Sequence, residues 1–141
     1  MRYTITILAV FYFTTLVAQD AKRQYQSARQ HYDDGLYSLA FEGFKPLLVY
    51  DKNNPYYIYA NFFYALSAYQ LGYKAVTKEV LIQITKLYPD WPGIDDALLW
   101  LAKVHFEQGD YFRALQLLKP IADAAARARA DEITREHLNP V

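Results

Sequence analysis

Three glycines at equal intervals constrain this 141-residue chain more than any other feature of its sequence. Gly35, Gly72 and Gly109 are each 37 residues apart, and each lies between two helix-length stretches rich in apolar residues. Glycine adopts positive φ without a Cβ clash, so it suits the tight turn that ends one helix before another begins. A fixed period of this length is typical of stacked supersecondary units. The glycines therefore predict a series of helical hairpins.

Other residues repeat with the same period. When the three repeats are aligned on their glycines, a small residue lies seven positions before each glycine, and a mostly small one lies five positions after it. Other aligned positions hold large apolar or aromatic residues. Such alternation lets two helices approach closely and fills the space beside the contact. The aligned sets are Ala28, Ala65 and Ala102; Tyr32, Tyr69 and Phe106; Ala40, Thr77 and Ala114; Phe44, Leu81 and Leu118; and Leu47, Ile84 and Ile121.

This arrangement resembles the tetratricopeptide repeat. The third repeat matches the family pattern well and the first also matches, while the second has Lys74 and Thr77 where the family has an aromatic residue and alanine. The family's early tryptophan is missing, and the period exceeds the family's length of about 34 residues. The matching residues are Ala102, Gly109, Asp110, Tyr111, Ala114 and Leu118, and then Ala28, Gly35, Tyr37, Ala40 and Phe44.

The resemblance implies an all-α fold, a right-handed solenoid of three helical hairpins followed by a C-terminal capping helix. A repeat array needs such a terminal helix, with one polar face, to cover its last apolar surface. The same segment is compatible with the start of a fourth unit in a longer parent chain. The expected boundaries are 1–19 for a signal peptide, 20–138 for the repeat domain, about 21–54, 58–91 and 95–128 for its units, and 139–141 for a tail.

Two prolines occupy matching positions in the second helices of the first and third units. Pro46 falls within the helix expected over Tyr37–Val49, and Pro120 within the helix expected over Tyr111–Ala124. A proline inside a helix removes a backbone hydrogen bond and bends the axis. The sequence therefore predicts a bend in both helices, with the separate capping helix following over Ala124–Leu138.

The first nineteen residues have the pattern of a targeting segment. Arg2 is followed by an uncharged, mostly apolar run of 14 residues, Thr4–Val17. Spanning a bilayer takes about 20 residues, so a signal peptide cleaved near Ala18 is favoured over an uncleaved membrane anchor. We therefore expect an exported protein, periplasmic or otherwise extracytoplasmic in a bacterial envelope, with no stable membrane insertion after cleavage.

Charge and residue types argue against several functional classes. The formal net charge is +0 and no basic run is present, so nucleic acid is not an expected partner. The chain has no cysteine, which excludes disulfides and thiolate metal sites. His31 and His105 lie two periods apart, too far for one ion in a stacked array, and adjacent carboxylates on a helix point in different directions. We therefore expect no enzyme, no catalytic residue, no cofactor and no metal.

The first helices of the units carry the best candidates for a binding site. In tetratricopeptide proteins these helices line a concave groove, so the resemblance implies a partner-binding groove with contacts recurring in each unit. Tyrosine and arginine suit such a surface because they offer large contact area with a polar tip, although each aromatic residue could equally pack against a neighbouring unit. The implied positions are Lys22, Tyr25, Arg29 and Tyr32; Tyr59, Phe62, Leu66 and Tyr69; and Asp96, Leu99, Lys103 and Phe106.

The sequence thus predicts an exported adaptor or scaffold that binds a protein or peptide in this groove. It resembles periplasmic tetratricopeptide proteins that assist outer-membrane assembly and cell-wall synthesis, or the front module of a larger receptor-like chain. Two alternatives stay open. One is a small-ligand binder or enzyme that uses a tyrosine-rich pocket between the first two units, and the other is a structural spacer or self-association module.

Overall fold

A computed structural model describes residues 20–52 and 54–138 of the chain, with side chains up to 132. Every regular element within these ranges is helical, and no strand occurs among them, so the all-α prediction is confirmed. In the same part of the chain, no helix is both long and apolar enough to cross a membrane. The predicted signal peptide, 1–19, and the tail, 139–141, lie outside the described residues.

Six α-helices follow one another in the described part of the chain, and each turn glycine separates two of them. The first helix, α1, covers 20–33. A single turn of 3-10 helix over Lys45–Leu47 follows directly on α2. The remaining bounds are Tyr37–Phe44 for α2, Tyr57–Gln70 for α3, Lys74–Leu87 for α4, Ile94–Glu107 for α5 and Tyr111–Leu138 for α6.

The three glycine turns share one backbone geometry. Gly35, Gly72 and Gly109 have φ values of 75°, 82° and 80°, in the left-handed region. The residue after each glycine donates its N–H to the carbonyl five residues earlier, for example Leu36 to His31 at 2.8 Å. This bond satisfies a carbonyl that the end of the helix would leave unpaired. The equal spacing of the glycines therefore reflects one helix-ending motif used three times.

The described residues form two compact units, one up to Ile84 and one from Thr85 onwards. The first unit has a core of small and large residues from α1, α2, the 3-10 turn and α3. A Cβ on Gly43 would lie only 3.0 Å from the Cβ of Ala28, so α1 and α2 approach closely there. The core residues are Ala28, Ala40, Phe44, Leu47 and Ala60, with Ala21, Tyr25, Tyr32, Phe63 and Tyr64 packed partly buried against them.

The departure from the repeat pattern at Thr77 is accommodated by a hydrogen bond. Thr77 is fully buried where the other repeats have alanine. Its hydroxyl lies 3.2 Å from the carbonyl oxygen of Ala65 on α3 and 3.2 Å from that of Tyr73, and can donate to either. A buried hydroxyl without a partner would be costly, so this bond is what lets threonine occupy a position for small residues.

The second helix of the first hairpin ends earlier than the sequence predicts. The α-helix stops at Phe44, and Pro46 lies in the 3-10 turn that follows instead of inside a bent helix reaching Val49. Proline has no N–H to continue the α-helical hydrogen bonds. Pro120 differs, because it lies within the continuous helix α6.

The end of the array also differs from the prediction. The second helix of the third hairpin and the predicted capping helix form one helix, α6, of 28 residues. The loops that precede α3 and α5 contain Pro55 and Pro92, whereas Arg129 holds the matching position and 121–130 contains no glycine or proline. Alanine and arginine are good helix formers, so the sequence gives α6 no reason to stop and turn.

Candidate functional site

The residues of the predicted groove are divided between the two units. In the first unit, α1 carries four of them and α3 carries four, and in the second unit α5 carries the remaining four. Lys22 is exposed on α1, and Asp96 is exposed in the first turn of α5.

Among the predicted groove residues of the first unit, Arg29 has the side chain that is most clearly held in place by its neighbours. Its guanidinium carbon lies 4.1 Å from the centroid of the Phe63 ring and 5.5 Å from that of Tyr32. The guanidinium also pairs with Asp33, one turn further along α1. A cation over an aromatic face is held by the ring quadrupole, and the side chain keeps 34% of its surface exposed. Arg29 is thus fixed in position and still partly exposed to solvent.

Two tyrosines of α1 flank this arginine and contact neighbouring rings. Tyr25 stacks on Tyr56 with 4.7 Å between centroids, and Tyr32 meets the edge of Phe63 at 5.3 Å. Burial of their phenols raises the pKa of both Tyr25 and Tyr32, and Tyr32 also hydrogen-bonds Gln70. Both rings are only partly buried: one part of each packs against the core, and the rest is exposed near Arg29.

The four α3 positions have different environments. Tyr59 is exposed and lies close enough to Tyr25 to affect its pKa, and Tyr69 is half-buried. Phe62 and Leu66 are buried, at 7% and 4% exposure, so they contribute to packing and are not available at the surface. The set carried over from the repeat pattern omitted Phe63, although Phe63 makes the ring contact with Arg29. The density of aromatic residues in α3 was one sequence signal that pointed to Phe63.

In the second unit, three of the four α5 positions border a groove. Leu99, Lys103 and Phe106 line it together with residues of α6, and it has a volume of about 540 Å³. The Nζ of Lys103 lies 4.7 Å from the Trp100 ring centroid, and Phe106 contacts the edge of Tyr111 at 5.2 Å. We call this the α5–α6 groove; its lining residues are Leu99, Ala102, Lys103, Phe106, Tyr111, Ala114, Leu115 and Leu118.

His105, Asp33 and Asp34 each have a local structural partner. The Nδ1 of His105 lies 3.1 Å from Asp110, and the same carboxylate accepts the backbone N–H of Arg113 at 3.2 Å. Asp110 therefore caps the start of α6. Asp33 pairs with Arg29, and Asp34 accepts a hydrogen bond from Gln30 at 2.9 Å. Within the described ranges, no group of three His, Asp or Glu side chains is arranged to hold a metal ion.

Comparison with known proteins assigns no family. No protein-family model matches the chain, and no curated protein matches it significantly. The likeness to tetratricopeptide repeats therefore rests on the residues and the spacing set out above.

Proposed function

We propose that the chain is an exported adaptor that binds a protein or peptide partner through the surface where α1 meets α3. This surface, the α1–α3 face, consists of Tyr25, Arg29, Tyr32, Tyr59 and Phe63. It combines one cation with four aromatic rings, the side chains that most often anchor protein interfaces.

The position of Arg29 carries this proposal. An arginine fixed over Phe63 and paired with Asp33 loses little further freedom when a partner binds. It retains exposed donors, because a guanidinium has five N–H groups and one carboxylate uses at most two. The nearby exposed ring of Tyr59 offers contact area beside that charge. A peptide with an acceptor group next to an apolar side chain fits this chemistry.

The test is an affinity measurement with a matched control on the same helix. A partner captured from envelope extract on the mature domain would be titrated calorimetrically against the parent, Arg29→Ala and Arg23→Ala. Arg23 is also exposed, but it lines a different surface with Leu39 and Pro46 of the first hairpin. Removing a central arginine anchor commonly costs about 2 kcal/mol or more, roughly a thirtyfold loss of affinity. We expect that loss for Arg29→Ala and almost none for Arg23→Ala.

Two further variants separate binding from folding. Arg29→Lys keeps the charge but loses the planar group over Phe63, so we expect an intermediate loss of affinity. Tyr59→Ala changes an exposed side chain and should weaken binding without lowering the melting temperature. If Arg29→Ala and Tyr59→Ala both bind as well as the parent, the α1–α3 face is not the binding site.

The exported location has its own test. A full-length protein with a C-terminal tag, made in a bacterial host, should be found outside the cytoplasm with a new N-terminus near Ala18. N-terminal sequencing of the purified protein reports the cut directly. An intact Met1 on protein that stays in the cytoplasm would refute export and leave the binding proposal unaffected.

A further inference from the structure

The α5–α6 groove leaves large apolar side chains in contact with solvent. Phe106 is 60% exposed and Leu115 is 68% exposed, and Leu99 is exposed beside them. Exposed apolar side chains that lie together in this way form a candidate binding surface. The internal repeat of the chain indicates what the occupant is.

The first hairpin has the same surface two periods earlier, and there it is covered. The residues that match Leu99, Phe106, Leu115 and Leu118 are Tyr25, Tyr32, Phe41 and Phe44. They are buried or half-buried, because α3 and the tyrosine before it lie against them. The covering contacts are Tyr56 on Tyr25 at 4.7 Å, Phe63 on Tyr32 at 5.3 Å and on Phe44 at 6.1 Å, and Tyr64 on Phe41 at 4.3 Å between ring centroids.

Charge supports an occupant similar to α3. Among the described residues that line the groove, Lys103 alone carries a charge. Its counterpart in the first hairpin is Arg29, whose guanidinium lies over the Phe63 ring of the covering helix. All 14 residues of α3 are uncharged. A helix with an aromatic ring opposite Lys103 gains a cation–π contact, whereas a basic helix would be repelled.

The first helix of the chain, α1, does not have the pattern of these covering residues. The covering residues Tyr56, Phe63 and Tyr64 are spaced i, i+7 and i+8, which places them on one face of a helix. In α1, the positions that match Phe63 and Tyr64 hold Gln26 and Ser27, both exposed and polar. The α1 helix of a second copy would therefore place polar groups against the apolar groove.

We propose that the α5–α6 groove binds an uncharged amphipathic helix of a partner polypeptide, with large apolar or aromatic side chains at positions i, i+7 and i+8. The helix lies across α5 and α6 as α3 lies across α1 and α2, with an aromatic ring against Lys103. This site is separate from the α1–α3 face and does not depend on the function proposed there.

The α3 sequence itself supplies the probe. A fluorescent peptide of residues 55–72 with a polyethylene glycol tail for solubility would be titrated into the purified protein, and binding followed by fluorescence anisotropy. We expect saturable binding that Leu115→Asp and Phe106→Ser each weaken by at least about tenfold. The peptide with alanine in place of Phe63 and Tyr64 should bind as weakly as a scrambled peptide. Circular dichroism of both protein variants should be unchanged, because the two side chains are exposed.

The control is Val49→Asp, which changes an exposed apolar residue of the first unit. It should leave peptide binding unchanged. The proposal is overturned if the peptide does not bind saturably, or if Val49→Asp weakens binding as much as Leu115→Asp. It is also overturned if sedimentation shows a dimer that Leu115→Asp dissociates and the peptide does not, because the groove would then hold a second copy.

Discussion

The first helical pair, α1 and α2, and the third, α5 and α6, have similar residues at matching repeat positions. The two pairs differ in how deeply these residues are buried. Phe44 is fully buried in the first pair, whereas its counterpart Leu118 is only half-buried in the third. Tyr32 is half-buried between neighbouring rings, whereas Phe106 is largely exposed. The repeat therefore specifies how two helices of a pair meet, and the element that follows decides whether the outer side chains form core or surface.

The small residues, in contrast, are buried in both pairs. Ala28 and Ala40 are buried in the first pair, and Ala102 and Ala114 are equally buried in the third. These positions lie in the contact between the two helices of a pair and need no third helix to cover them. A repeat position can thus be classified by whether its burial depends on the pair alone or on a neighbour.

The largest expected effect is at Phe44. Phe44→Ala removes a fully buried ring and should lower the free energy of unfolding by about 3–5 kcal/mol. Leu118→Ala, at the matching position, should cost clearly less, since part of that side chain already contacts water. Urea denaturation followed by circular dichroism at 222 nm measures both. Equal losses would show that the third pair is covered in solution and would contradict the difference between the pairs.

A smaller effect, which should be the same in both pairs, is expected at the turn glycines. Gly35 and Gly109 have positive φ, and a Cβ added to either would meet no atom within 4 Å. Replacement by alanine therefore costs only the strain of a left-handed backbone, about 1–2 kcal/mol. We expect Gly35→Ala and Gly109→Ala to lower stability equally in thermal melts. Unequal losses would mean that the covering helix α3 supports the first turn as well as the first pair.

The smallest effect is a pH dependence that comes from Tyr25 in the first pair. Burial raises the pKa of Tyr25 in the folded state, so the folded protein holds this proton more tightly than the unfolded chain does. The resulting stability is complete below the ordinary phenol pKa of about 10 and is lost as the pH rises through the folded pKa. Tyr25→Phe should reduce the fall in melting temperature between about pH 9 and 11. An unchanged fall in the Tyr25→Phe variant would contradict this prediction.

The parts of the fold that depend on local sequence were predictable. Glycine spacing located the helix ends at the three turns, and the aligned alanines located the close helix contacts, since each depends on a few neighbouring residues. The ends of α2 and α6 were not predicted. A proline ends the α-helix at one site and lies inside the helix at the other, and which occurs depends on the structure around it.

The candidate site was predictable only as a set of helix positions. Arg29 and Tyr25 are only partly buried, but Phe62 is buried and its neighbour Phe63 contacts the arginine. Consecutive residues of a helix differ by about 100° in direction, so a small error in register exchanges a packing residue for a surface one. The aromatic composition of α3 gave no means of deciding between them.

The continuous helix α6 has a mechanical consequence. At 1.5 Å per residue it is about 42 Å long, twice the length of α5. Pro120 removes one hydrogen bond from the axis, so bending of this rod is expected to concentrate near that residue. A rotation of about 10° there would displace Leu138 by roughly 5 Å, given the rise per residue of a helix. A small bend of α6 beside α5 would therefore cause a much larger displacement at the C-terminal end of the helix.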